Sequence, residues 1–174
     1  MTELLSKITQ LDSANIAKPI GFHADGQHVG LKHKSKDLGW IFSDVPAAVA
    51  GVFTTNQVQA APIKLDKETI KDGLLQAIIV NSGNANAVTG KIGHQHAKTM
   101  QQTAADSLNI DPNLVAVAST GIIGQVLPID KVVNGIHQLH IAGDSKAFAH
   151  AIMTTDTVEK SITIQSQIDG HTVT

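Results

Sequence analysis

The chain has 174 residues, 42% hydrophobic and 16% charged, which is too apolar and too weakly charged for a disordered polypeptide. Its lack of cysteine excludes disulfide frameworks, thiolate metal sites and cysteine nucleophiles. With a net charge of −2, 13 lysines and no arginine, and only 3% aromatics, it lacks the basic forks and stacking rings of a nucleic-acid binder.

A chain of this length buries roughly 70% of its unfolded surface, enough for one ordinary domain or one large piece of something bigger. Met1 to Asp12 is polar, carries Glu3 and Lys7, and lacks the apolar stretch of a signal peptide. The longest uncharged apolar stretch, Val45 to Phe53, contains Pro46 and Gly51 and falls far short of the about 20 residues a membrane span needs. A soluble, cytoplasmic protein without a membrane partner is expected.

Residues 15 to 43 read as short strands between glycine turns, with Leu38 to Phe42 the most strand-like. Ala47 to Thr55 ends on the polar turn Thr54-Thr55-Asn56. Leu65 to Gly73 reads as a short helix with Gly73 as its stop. Ala77 to Val80 is a buried strand opening onto a loop at Asn81-Ser82-Gly83. Ile92 to Leu108 is the clearest helix, because Ile92, Ala97, Met100, Ala104 and Leu108 recur on one face. Leu114 to Ala118 is a second buried strand, ending at Ser119-Thr120-Gly121. A helix starts near Pro128, and another runs from an Asp144 or Ser145 cap to Met153.

Ser161 to Ile168 alternates as a strand, and Asp169-Gly170 is a strong two-residue hairpin turn. The return strand from His171 is very short. So short an edge leaves its neighbour half paired, so the chain is expected to be one part of a longer fold.

Gly83 to Lys91 does not make a phosphate loop: its glycine spacing is wrong, and Ile92 stands where a hydroxyl must bind magnesium. His94 and His96 point to different sides of a helix. His137 and His140 have helical spacing but no third ligand nearby, so a solvated face is the better reading. Two polar segments follow buried strands, where open α/β sheets place ligand groups. Asn81 to Asn86 is either a pocket wall or a turn that caps itself. Ser119-Thr120-Gly121 offers a hydroxyl and an unhindered amide to an oxyanion, or ends a strand as a plain cap. Met153 to Thr157 is crowded with hydroxyls, for which capping is the ordinary explanation.

These segments carry a resemblance. Gly51-Val52-Phe53-Thr54-Thr55-Asn56 with Ala60-Ala61-Pro62 resembles a signature of the ornithine acetyltransferase (glutamate N-acetyltransferase, ArgJ) family of arginine biosynthesis. Val80 to Ala87 with Thr89-Gly90, Ala118 to Gly124 with Leu127-Pro128, and Ala151 to Thr157 are similar to three further blocks of that family, in the same order. Val88 departs from the cysteine of many members, and Lys18-Pro19-Ile20 alters the approach to Gly21-Phe22.

The resemblance implies an α/β fold of stacked β-sheets between helical layers, of the N-terminal-nucleophile (ArgJ/DmpA-like) type, completed by a second chain. It implies that residues 1–174 form a single domain, the N-terminal (α-chain) part of a longer autoprocessed enzyme, lacking the Gly-rich block expected just past Thr174. The precursor would cut itself before a threonine that opens the β chain and acts as nucleophile, giving an α2β2 assembly. The implied reaction moves acetyl from N2-acetylornithine to glutamate through an acetyl-threonine in two ping-pong steps. Acetyl-CoA is an additional donor in some members, and no cofactor or metal is implied. On this resemblance Thr120 (hydroxyl) and Gly121 (backbone N–H) form the oxyanion hole, and Thr157 binds substrate. The alternatives are a non-catalytic amino-acid binder or pseudo-enzyme, or another N-terminal-nucleophile amidase or aminopeptidase. The four collinear blocks argue against the last.

Overall fold

The computed structural model describes residues 8–12 and 15–174, so most of the polar N-terminal stretch lies outside the described residues. Strand β1 (Thr9–Gln10) belongs to a small sheet completed at the end of the chain. The main sheet has the order β2-β3-β4-β5, with β2 at Phe22–Gln27, β3 at Leu38–Ala48, β4 at Leu74–Asn84 and β5 at Val115–Ile122. The first three strands run antiparallel to their neighbours, while β4 and β5 are parallel. A parallel pair needs a long crossover. Here it contains helix α2 (Gly90–Leu108), which follows α1 (Ala61–Thr69) in the chain. Helices α3 (Ile129–Ile136) and α4 (Ser145–Ala151) come after the sheet.

Side-chain alternation divides the sheet into two faces. Register aligns Trp40 with Ile79 and Val117, and Phe42 with Ala77 and Val115. These residues are buried with Leu38 against Leu65 of α1, Ala97, Met100 and Ala104 of α2, and Val132 and Ile136 of α3. Burying one such large apolar side chain contributes about 1.5–3 kcal/mol, which is why a chain with few aromatics can still hold a core. Helix α4 lies on the opposite face against β2 and β3. It approaches so closely that a methyl group at Gly26 would stand 2.3 Å from the Ala147 carbonyl oxygen. The result is an α/β architecture of sheets layered with helices, the class implied by the sequence.

Helix α1 begins at Ala61, four positions before the expected start, because Pro62 sits in its first turn, where a missing N–H costs nothing. It tightens into a 3-10 turn over Ile70–Asp72 and stops at Gly73, whose φ of 72° makes the left-handed exit expected of a glycine stop. β3 extends to Ala48 by way of an irregularity between Phe42 and Ala47, which accommodates Pro46. At the end of the chain, β6 (Ile164–Ile168) and β7 (His171–Val173) form the predicted hairpin. Asp169 and Gly170 have φ of 50° and 80°, as a type I′ turn requires. β6 is the central strand of the order β1-β6-β7, but Thr9 and Gln10 pair only with Gln165 and Ile164, while β7 pairs only with Ser166 to Ile168. Each β6 residue is therefore paired on one side, and the ladder is half paired, as the short return strand leads one to expect.

Candidate functional site

The two polar segments after the buried strands are not loops. β4 continues through Asn84 and β5 through Ile122, and their register pairs Asn81 with Ser119, Ser82 with Thr120, Gly83 with Gly121 and Asn84 with Ile122. The parallel crossover therefore brings both segments side by side at the carboxyl ends of adjacent strands, where open α/β sheets build their sites. Asn and Gly are poor strand formers, so the sequence reading stops each strand at its last apolar residue. Side-chain bonds make up the difference.

Each asparagine is buried and committed. Asn81 Nδ2 donates to the Asn84 carbonyl at 2.8 Å, and Asn81 Oδ1 accepts from Ser119 Oγ at 2.6 Å. Asn84 Nδ2 donates to the Gln125 carbonyl at 2.9 Å, while its Oδ1 accepts from Asn86 N at 2.8 Å. Asn86, at φ 45°, donates to the Gly93 carbonyl and accepts from Thr89 Oγ1, both at 2.9 Å, tying β4 to the start of α2. Of the two readings left open for this segment, self-capping is the one built. These side chains fix the strand ends, each amide nitrogen donating one hydrogen bond within the protein.

Ser119 is likewise tied inward, which singles out its neighbour. Thr120 is half-buried and its hydroxyl makes no hydrogen bond among the described residues. Gly121 is exposed, with φ of 132°. Along β5 the Ile122 carbonyl faces β4, accepting from Ala85 N, whereas Val117 N–H faces the outer edge and donates to Asp66 Oδ1 at 2.9 Å. Alternate residues share a side, so Gly121 N–H turns outward with Val117, away from the β4 ladder. Burial raises the Asp66 carboxyl to about 6, partly opposed by the bond from Val117.

Thr157 lies in an exposed, irregular stretch after α4. No hydrogen bond joins it to Thr120 or Gly121 among the described residues. The connection between the two regions runs through residues that the sequence reading passes over. Asp37, fully buried, accepts from the backbone N–H of Val29 at 2.6 Å and of Leu31 and Lys32 at 2.8 Å, and so folds that loop over the end of β4. Lys32 Nζ then donates to the Met153 carbonyl at 2.9 Å. Desolvation lowers the Lys32 ammonium below its usual value, against an opposing pull from Asp37. In the sequence, residues 15 to 43 read only as short strands between glycine turns, so the Lys32 contact is visible only in the fold.

A cavity of about 330 Å³ beside this link is lined by Lys32, Lys36, His150, Met153, Thr154 and Asp156. The Asp156 carboxyl is held below its usual value, chiefly by a hydrogen bond from Lys160 at 2.5 Å. A second cavity, of about 850 Å³, opens near the start of α2 between Lys64, Val88, Lys91 and His94, and none of Thr120, Gly121 or Thr157 lines it. No cluster of three or more histidines and carboxylates with metal-binding geometry occurs among the described residues. No described helix is long and apolar enough to cross a membrane.

Comparison with known proteins bears on the same segments. The model of the ArgJ family matches residues 23–174. The chain is 50% identical to an arginine biosynthesis bifunctional protein ArgJ of Oceanobacillus iheyensis, over 99% of this chain and 43% of that protein. It is 54% identical to the protein of the same name from Staphylococcus epidermidis, over 92% of this chain and 41% of the relative. It thus spans about two fifths of the length of these relatives. Among solved structures, it superimposes on ArgJ of Bacillus halodurans with a TM-score of 0.90 and 48% identity, covering 95% of this chain and 89% of that one. For ornithine acetyltransferase of Mycobacterium tuberculosis, complexed with ornithine, the TM-score is 0.84 at 36% identity, covering 95% and 92%.

Proposed function

The chain belongs to the ArgJ family of arginine biosynthesis, and we propose that it is the N-terminal, α-chain part of a longer autoprocessed glutamate N-acetyltransferase. On this reading residues 1–174 act as one domain beside a β chain from the same precursor, in an α2β2 assembly. The substrates are N2-acetylornithine and glutamate.

The observation that carries the proposal is the pairing of the β4 and β5 ends. The polar side chains around Thr120 are spent on internal bonds, while the Thr120 hydroxyl and the Gly121 N–H stay uncommitted at an exposed strand end. Two rigidly held donors, aimed where negative charge develops, are what acyl transfer needs.

In the proposed reaction the β-chain threonine supplies the nucleophile. Its hydroxyl oxygen bonds to the acetyl carbon of N2-acetylornithine, and its own α-amine takes the hydroxyl proton. That amine suits the task, because its ordinary pKa of about 7.7–8.0 lies near neutrality. The carbonyl oxygen becomes an oxyanion held by Thr120 and Gly121. Collapse breaks the C–N bond, and the proton moves to the departing ornithine amine. Glutamate's amine then attacks the acetyl-threonine ester, the same donors hold the second oxyanion, and the threonine oxygen recovers its proton. Thr157 binds substrate. Incubating the two-chain enzyme with N2-acetylornithine alone should leave an acetyl group on the β-chain peptide that begins with threonine, detectable by mass spectrometry and discharged by glutamate. Acetylation on this chain instead, or none anywhere, would contradict the proposal.

A further inference from the structure

We infer that Lys32 is a positioning residue, which sets the Thr154–Thr157 segment against the Thr120–Gly121 strand end through its bond to the Met153 carbonyl. The inference rests on the function proposed above and assigns a part of the site that the sequence left blank.

Both ends of the lysine are fixed. At its base, the buried Asp37 carboxylate accepts three backbone N–H groups from Val29, Leu31 and Lys32, and the Asp37 carbonyl accepts from Ser82 N at 2.8 Å. The Lys32 backbone is thereby locked to β4, one residue from the strand pair that carries Gly121. Its stem crosses Gly83 so closely that a methyl there would stand 3.0 Å from Lys32 Cγ and 3.1 Å from the Leu31 carbonyl oxygen. At its tip, Nζ holds Met153 O at 2.9 Å, four residues before Thr157.

A structural clamp does not need a charge at this place. Ser82 Oγ already tethers the same segment by donating to the Ala151 carbonyl at 2.5 Å. Lys32 adds a half-buried ammonium that forms no salt bridge among the described residues. Only one of its three donors is used by Met153, and the group lines the cavity that also holds Thr154 and Asp156. Its charge is therefore kept at a bond that aligns one substrate-facing segment with another, where a displacement of about 1 Å can cost about a hundredfold in rate.

The test uses the complete two-chain enzyme in the N2-acetylornithine to glutamate assay. Lys32→Met should raise the KM for N2-acetylornithine about tenfold or more with a smaller fall in kcat, and Lys32→Arg should recover most of the loss. In a Thr157→Ala background the effect of Lys32→Met should largely vanish, because both changes spoil the same contact. If Lys32→Met does not yield soluble enzyme, Lys32→Leu, which also removes the donor to Met153, takes its place. Full additivity with Thr157→Ala, a fall confined to kcat, or wild-type kinetics in the Met or Leu variant would overturn the inference. Loss of soluble enzyme in all three variants would also overturn it, by showing a role in folding alone. If Thr120→Ala and Thr157→Ala themselves leave turnover intact, the functional reading fails first.

Discussion

Gly121 is the residue at which backbone shape meets the oxyanion role proposed above. Its φ of 132° lies where side chains rarely go, and a methyl would stand 2.4 Å from the Gly83 carbonyl carbon and 2.6 Å from Asn84 N. Gly121→Ala should therefore carry both a strain and an overpacking cost, about 1–3 kcal/mol each, read as a lowered melting temperature of the assembled enzyme. Gly73 provides the control. It has φ of 72°, but a methyl there would meet nothing within 4 Å, so Gly73→Ala should cost only about 1–2 kcal/mol. Equal costs for the two would show that the Gly83 contact is not tight. The residues alone leave Ser119-Thr120-Gly121 open between a cap and an oxyanion site. The family resemblance is needed to choose Thr120, and the structure adds why Ser119 is not interchangeable with it: its hydroxyl is held by Asn81. Asp37 and Lys32 are illegible in the sequence, because their partners lie on other elements and nothing in a local pattern announces them.

At the scale of elements, what periodicity governs is legible. Helix α2 and the apolar halves of β4 and β5 follow from their patterns, and Gly73 and the Asp169-Gly170 turn follow from backbone freedom. The polar strand ends are not legible, since Asn81–Asn84 is held in the strand by pairing with β5 and by side-chain bonds to residues distant in sequence. Asp66 is a second long-range link, joining α1 to the outer edge of β5. Its folded carboxyl titrates near 6, above the ordinary 3.8, because burial disfavours the charge. The folded state therefore holds this proton more tightly than the unfolded state. That contribution is fully present below about pH 4 and is lost as pH rises through about 6. Allowing for partial exposure, it is worth on the order of 1 kcal/mol. Asp66→Asn keeps an acceptor for Val117 N–H and should flatten the stability profile between about pH 4 and 7, leaving the variant no weaker than wild type at higher pH. A steeper profile in the variant would refute the assignment.

The whole molecule leaves apolar surface uncovered. In the terminal sheet region Ile162, Ile164 and Ile168 are 68%, 46% and 47% exposed, and Ile122 and Ile123 beside Gly121 are 62% and 67% exposed. Clusters of this kind mark surfaces that another element covers. The sequence suggests a missing neighbour for the terminal hairpin, and the half-open β6 ladder together with the exposed isoleucine side chains carries the expectation of a partner. Hydrogen exchange across Ser161 to Ile168 should be fast in the isolated chain and slow in the two-chain enzyme, because the short β1 and β7 strands protect it weakly. Equal protection in both would remove this region from the interface.

The central claim is that the end of β5 supplies a donor to the acetyl oxyanion, and the kinetics of one variant test it most directly. In the two-chain enzyme, Thr120→Ala should lower kcat for acetyl transfer from N2-acetylornithine to glutamate by about 10²–10³-fold, while Thr120→Ser, which keeps the hydroxyl, retains much more. A Thr120→Ala enzyme within about threefold of wild type would contradict the account and return Thr120 to a plain strand end.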